Sequence, residues 1–142
     1  MSTAENIAAV RRFWQGFDMH NLDIWDEVCT PDFINHDAGL PTPDADLPTI
    51  KRTIAQLLLA AFPDIQSTEL DLLADGDKVA TRRLMRGTHQ GELMGIAPTG
   101  KEITFAGVWL AHLKGGKIKE QWVYFDALGL LQQVGAVPTP NA

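Results

Sequence analysis

At Pro63 the hydrophobic period of this chain changes from that of a helix to that of a strand. Upstream, Ile7, Val10, Phe13, Trp14 and Phe17 recur at the spacing of one buried helical face. Ser2 and Glu5 stand at capping-box spacing where that helix begins, and Asn21 is expected to end it. A shorter helix is expected from Leu22 to Cys29, then a turn and a brief extended piece over Pro31–His36. Residues 37–48 are rich in proline and aspartate and read as an exposed loop. Helical spacing returns from Pro48 to Ala61 through Ile50, Ile54, Leu57 and Leu58. Phe62-Pro63 stops it, because the residue before a proline avoids the helical region. Downstream, alternation predicts strands over Ile65–Ala74, Lys78–His89, Lys101–Leu113 and Lys117–Asp126. Turns fall at Asp75-Gly76-Asp77, Pro98-Thr99-Gly100 and Gly115-Gly116. Gly91–Met94 is expected to prolong the second strand, and Ala127–Val134 to form a helical turn. Helices followed by a run of antiparallel strands make an α+β fold, with the helices covering one sheet face.

Charge and cysteine usage narrow the partners. The 142 residues suit a single domain over 1–142. A net charge of -6 argues against non-specific nucleic-acid binding and against an anionic membrane surface. The single Cys29 rules out an intrachain disulfide and a multi-cysteine zinc site, and its apolar neighbours predict an inert packed thiol. The four histidines lack ligand spacing, and there is no phosphate loop, dinucleotide fingerprint or nucleophile elbow, so no metal or cofactor is expected. The N-terminus lacks the apolar core of a secretory signal, which makes the cytoplasm the expected compartment.

Three groups of polar residues are candidates for chemistry. Asn35-His36 follow the apolar pair Phe33-Ile34; they serve either as strand-end caps or in a pocket. Arg82 and Arg83 are adjacent on a strand, so one faces the helices and needs a carboxylate or a ligand. In the last strand Glu120, Trp122, Tyr124 and Asp126 share one face, while Gln121, Val123 and Phe125 share the other. Asp126, beside aromatics at the strand end, reads either as a general base or as the ion-pair partner of an inward Arg82.

These residues resemble the SnoaL-like polyketide cyclase family. The likeness runs in order through Phe33-Ile34-Asn35-His36, Ala61-Phe62-Pro63-Asp64, Gly76-Asp77-Lys78-Val79-Ala80-Thr81-Arg82 and Gly87-Thr88-His89-Gln90-Gly91-Glu92. It continues through Pro98-Thr99-Gly100-Lys101, Gly116-Lys117-Ile118 and Glu120-Gln121-Trp122, and closes on Asp126-Ala127-Leu128-Gly129 and the residues to Gly135. The resemblance implies an α+β cone, a curved antiparallel sheet around helices with an apolar pocket, and a homodimer paired through the exposed sheet face. It also implies metal-free, cofactor-free intramolecular aldol chemistry on an ester-bearing aromatic molecule. Asn35 matches the family's pocket asparagine, and Asp126 the aspartate of its E-x-W-x-x-x-D stretch. The aspartate, histidine and glutamine of anthracycline cyclases fall at Val123, Trp109 and Gly107; valine cannot move a proton, and tryptophan can only donate its indole N–H.

Three readings follow. The first is an enzyme acting on a small hydrophobic or aromatic ligand, with Asp126 and His36 as acid/base residues. Asn35, Arg82, Trp109, Val123, Trp122, Tyr124 and Phe13 would then bind substrate. The reaction would be a ring closure, or an isomerase, hydrolase or hydroxylase reaction on the same fold. The second is a binding module without catalysis, favoured by the apolar residues at the acid/base positions. The third is a structural dimer-forming domain.

Overall fold

The computed structural model describes residues 2–138. Helix α1 (Thr3–Asp18) begins where the Ser2 hydroxyl accepts the Glu5 N–H at 3.1 Å. It ends three residues before Asn21, because His20 takes a left-handed φ of 57°. A 3-10 turn (Leu22–Ile24) and the short helix α2 (Trp25–Val28) follow. Gly16 lets this turn close in, since a Cβ there would stand 2.9 Å from that of Ile24. Trp25 then stacks on Phe13 at 4.2 Å and donates its indole N–H to the Phe13 carbonyl at 2.8 Å. Cys29 lies outside the helix where it was expected. It opens strand β1 (Cys29–His36), buried, and burial pushes its thiol up to about 12, which keeps it unreactive.

After a loop come β2 (Asp44–Asp46) and helix α3 (Leu47–Ile54), capped by the Asp46 carboxylate on the Thr49 N–H. The helix widens into a π-helical stretch at Ala55–Leu59. Strands β3 (Gln66–Asp75), β4 (Lys78–Thr88), β5 (Glu102–Lys114) and β6 (Lys117–Phe125) form the predicted meander, and α4 (Ala127–Gln133) closes it. Residues 91–94 do not extend β4. Met94 and Gly95 both take positive φ, and Leu93 bridges back to Ile96 in a tight turn.

The six strands form one sheet in the order β2-β1-β6-β5-β4-β3. It is mixed, where an antiparallel sheet was expected: β1 runs parallel to β6. Their register breaks between Cys29 and Ile34, around Pro31, which has no N–H to give the ladder. The architecture is the α+β cone, with α1 against the inner sheet face.

Alternation sorts the faces. On β4, Val79, Thr81, Arg83, Met85 and Gly87 are buried, while Arg82 and Arg86 are exposed. On β5 and β6, Phe105, Gly107, Trp109, Gln121 and Val123 point inward, and Val108 and Tyr124 point out. One core joins α1, α2 and the inner face.

Candidate functional site

The helices and the inner sheet face enclose a cavity of about 210 Å³. Phe13, Trp14, Trp25, Phe105, Trp109 and Phe125 give it aromatic walls, and Leu57, Leu58, Leu131 and the exposed Met94 add aliphatic ones. Trp14 meets Trp109 edge to face at 4.8 Å, which ties α1 to β5 across the cavity.

Polar groups reach this space at two places. Asn35 on β1 and Gln121 on β6, register partners, are both buried, and the Gln121 amide donates to the Asn35 oxygen at 3.0 Å. Asp37 follows β1 and continues the inward alternation of Phe33 and Asn35. Its backbone N–H donates to the Pro43 carbonyl at 2.8 Å, and one carboxylate oxygen accepts the Gly39 N–H at 3.0 Å. Asp37 is the sole ionisable side chain lining the cavity among the described residues, and it is 6% exposed. Burial raises its pKa above the ordinary carboxylate value, against the opposing pull of the Gly39 amide.

The acid/base candidates read from sequence lie elsewhere. Asp126 is exposed and caps α4, accepting the Gly129 N–H at 2.9 Å. Strand parity turns it away from the cavity, and it does not meet Arg82. His36 is half-buried on the other side of β1. Asp44 bonds its Nδ1 at 2.7 Å and Glu120 its Nε2 at 2.5 Å, and these bonds, Asp44 first, hold the imidazole pKa above its ordinary value. His36 also stacks on Trp122. Arg82 faces outward and pairs with Asp71 at 2.7 Å. The inward arginine is Arg83, whose guanidinium lies 4.5 Å from the Trp14 ring centroid and donates to the Ser67 hydroxyl.

The expected binding residues divide accordingly. Phe13, Asn35, Trp109 and Val123 line the cavity. Trp122 and Tyr124 cannot join them, because they alternate with Val123 on the opposite sheet face; Tyr124 is 70% exposed. Asp37 was missed because an Asp in a proline-rich loop reads as solvated. The inward period of Phe33 and Asn35, carried two residues on, is the signal that finds it.

The family described as SnoaL-like polyketide cyclase matches residues 8–134. The chain belongs to this family. Among curated relatives, it is 26% identical over 139 residues to the aklanonic acid methyl ester cyclase AcmA of Streptomyces galilaeus, covering 93% of this chain and 92% of AcmA. It is 27% identical to the aklanonic acid methyl ester cyclase DnrD of Streptomyces peucetius, covering 99% and 97%. Among solved structures, AclR of Streptomyces galilaeus superposes with a TM-score of 0.87 at 27% identity, over 96% of this chain and 100% of AclR.

Within the SnoaL-like frame, the positions where an acid/base set was expected form one wall. Trp109 pairs with Val123, and Gly107 with Phe125. That wall is apolar here. A Cβ at Gly107 would stand 2.7 Å from that of Phe125, so no larger residue fits without moving β6. The carboxylate that lines this cavity stands on the loop after β1.

Proposed function

We propose that this chain is a SnoaL-like cyclase that closes a ring by intramolecular aldol addition, with Asp37 as the base. The observation that carries the proposal is the Asp37 carboxyl, alone among the ionisable groups of the described residues in an apolar cavity and raised in pKa by burial. The relatives named as aklanonic acid methyl ester cyclases support a neutral, ester-bearing polyketide as substrate.

Ionised Asp37 takes the proton from a carbon flanked by two carbonyls. The carbanion forms a C–C bond to a ketone carbon of the same molecule, and that ketone oxygen becomes an alkoxide. The alkoxide recovers the proton from the Asp37 carboxyl, so no atom is gained or lost. Asn35 and Gln121 supply polar contact to the enolate oxygen, and the aromatic walls hold the flat substrate and exclude water.

Only ionised Asp37 acts as a base, so turnover rises with pH through a pKa above the ordinary carboxylate value. Asp37→Asn keeps an oxygen for the Gly39 N–H and is expected to lower turnover of aklanonic acid methyl ester by about 10²–10⁴-fold. Asp126→Asn leaves turnover within about twofold, because Asp126 caps α4 away from the cavity and asparagine caps as well as aspartate. Unchanged turnover in Asp37→Asn would sink the proposal.

The apolar wall at Val123, Trp109 and Gly107 favours a second reading, a binding protein without turnover. In that case the ester quenches tryptophan fluorescence and no product forms. We further propose one functional domain over the chain, a cytoplasmic location, and a homodimer paired through the outer sheet face. The exposed Leu73, Val108 and Tyr124 on that face support the pairing.

A further inference from the structure

The Asn35–Gln121 pair has hydrogen-bonding capacity that the protein does not use. Asn35 is 2% exposed and Gln121 4%, and each lines the cavity. Their mutual bond uses one nitrogen and one oxygen. The amide nitrogen of Asn35 and the oxygen of Gln121 have no partner among the described residues. Exchanging nitrogen and oxygen in both amides leaves the Asn35 oxygen and the Gln121 nitrogen over instead; exchanging them in one amide alone would break the bond. Either way the pair offers a ligand one donor and one acceptor. Both spare atoms keep surface open to the cavity, and a ligand that covers them without pairing them loses about 1–3 kcal/mol relative to one whose edge matches them.

We infer that this pair is a recognition subsite for a flat, neutral ligand edge carrying a donor beside an acceptor, such as an enolised dicarbonyl or a polyphenol. Neutrality follows from the cavity lining, which includes Asp37 and no cationic side chain among the described residues. Ligand size follows from volume. An engineered apolar cavity of about 150 Å³ holds a benzene ring. The cavity of about 210 Å³ therefore suits a portion of two fused rings. Gln121 becomes a specificity residue: it makes no hydrogen bond with Asp37, yet it decides which polar edge can be buried. The inference rests on the cavity being the ligand site, as proposed above, and does not require that Asp37 be the base.

Calorimetric titration with naphthoresorcinol, naphthol and naphthalene tests it without turnover. The wild-type chain is expected to bind naphthoresorcinol at least about tenfold more tightly than naphthalene, with naphthol between them. In Asn35→Leu/Gln121→Met this preference disappears, while naphthalene affinity stays within about threefold, which also reports that the fold is kept. Equal affinities in the wild-type chain, or a preference that survives the double substitution, would overturn the subsite.

Should the double variant fail to fold, Gln121→Glu gives the second reading. The introduced carboxylate accepts from Asn35, so the pair offers acceptors only. The affinity ratio of naphthoresorcinol to naphthoquinone, which has no donor, should then rise by about tenfold; an unchanged ratio overturns the inference. Asp37→Asn that abolishes ring closure but keeps the ligand preference supports both readings. Asp37→Asn that leaves ring closure intact while the preference holds removes the base and keeps the subsite.

Discussion

Arg82 and Arg83 are neighbours in sequence, and their substitution by Met should differ in cost by about 2 kcal/mol. The Arg83 side chain is 7% exposed and donates two hydrogen bonds to the Ser67 hydroxyl, at 3.1 and 2.9 Å. It also lies 4.5 Å from the Trp14 ring centroid. A hydrogen bond from a charged donor contributes about 1.5–3 kcal/mol, and a desolvated cation over an indole about 1–2 kcal/mol. Part of that sum is offset, since burial pushes the guanidinium pKa down and Met needs no such desolvation. Nor is a carboxylate stranded: Asp18 keeps its bonds to Ser67, and Glu69 keeps Arg11. The net loss for Arg83→Met is about 2 kcal/mol, or roughly 6 °C in Tm for a chain of this size. Arg82 is 50% exposed, and its pair with Asp71 is screened by water, so Arg82→Met should cost about 0.5 kcal/mol or less. Urea unfolding of the two variants under one buffer decides the matter. Equal losses, or a more stable Arg83→Met, would refute the assignment of Arg83 to the cavity-backing face.

Two further perturbations test how the sheet supports the site. His36 crosslinks β1 to Asp44 on β2 and to Glu120 on β6, and both bonds favour the charged imidazole. Its stabilisation is complete below the ordinary histidine pKa and lost as pH rises through the higher folded value, so His36→Gln should cost about 1 kcal/mol near pH 6 and less near pH 9. Urea unfolding at both pH values checks this, and a pH-independent difference would contradict it. Gly107→Ala places a methyl group 2.7 Å from the Phe125 Cβ and 2.8 Å from the Tyr124 carbonyl oxygen. It should cost about 1–3 kcal/mol and weaken naphthalene binding, because Phe125 is also cavity wall; a variant as stable as the wild-type chain would show that β6 can shift freely.

The elements after Pro63 were legible because period and turn chemistry agree: Gly76, Gly115 and Gly116 take the left-handed conformations their hairpins need. The direction of β1 was not legible, since alternation says which side faces the core and nothing about the partner strand. Arg82 and Arg86 fall on one face of β4 and Arg83 on the other, so the two-arginine face is the solvated one. Asp126 likewise shares parity with the exposed Tyr124, and so stood on the wrong side for a pocket base. Asp37 was recoverable by the same rule, extended past the strand end. What no pattern could supply was the fold of loop 37–43, which the Asp37 N–H closes on the Pro43 carbonyl.

The placement of that carboxyl bears on how one scaffold can keep its fold while its chemistry moves. The wall of Trp109 and Val123 belongs to two long central strands, where each side chain is fixed by its neighbours in the core. A polar group there needs partners supplied by those same strands. A loop residue faces a smaller demand: Asp37 satisfies one oxygen with the amide of Gly39, two residues away, and reaches the cavity without disturbing the ladder. An apolar sheet wall and a loop carboxylate are therefore compatible in a way that an apolar wall and a strand carboxylate are not. If Asp37 is the base, the cavity has exchanged a base on its most rigid element for one on a short loop. Its catalytic precision then depends on the hydrogen bonds of residues 37–43, and substitutions that loosen that loop should lower turnover before they lower stability.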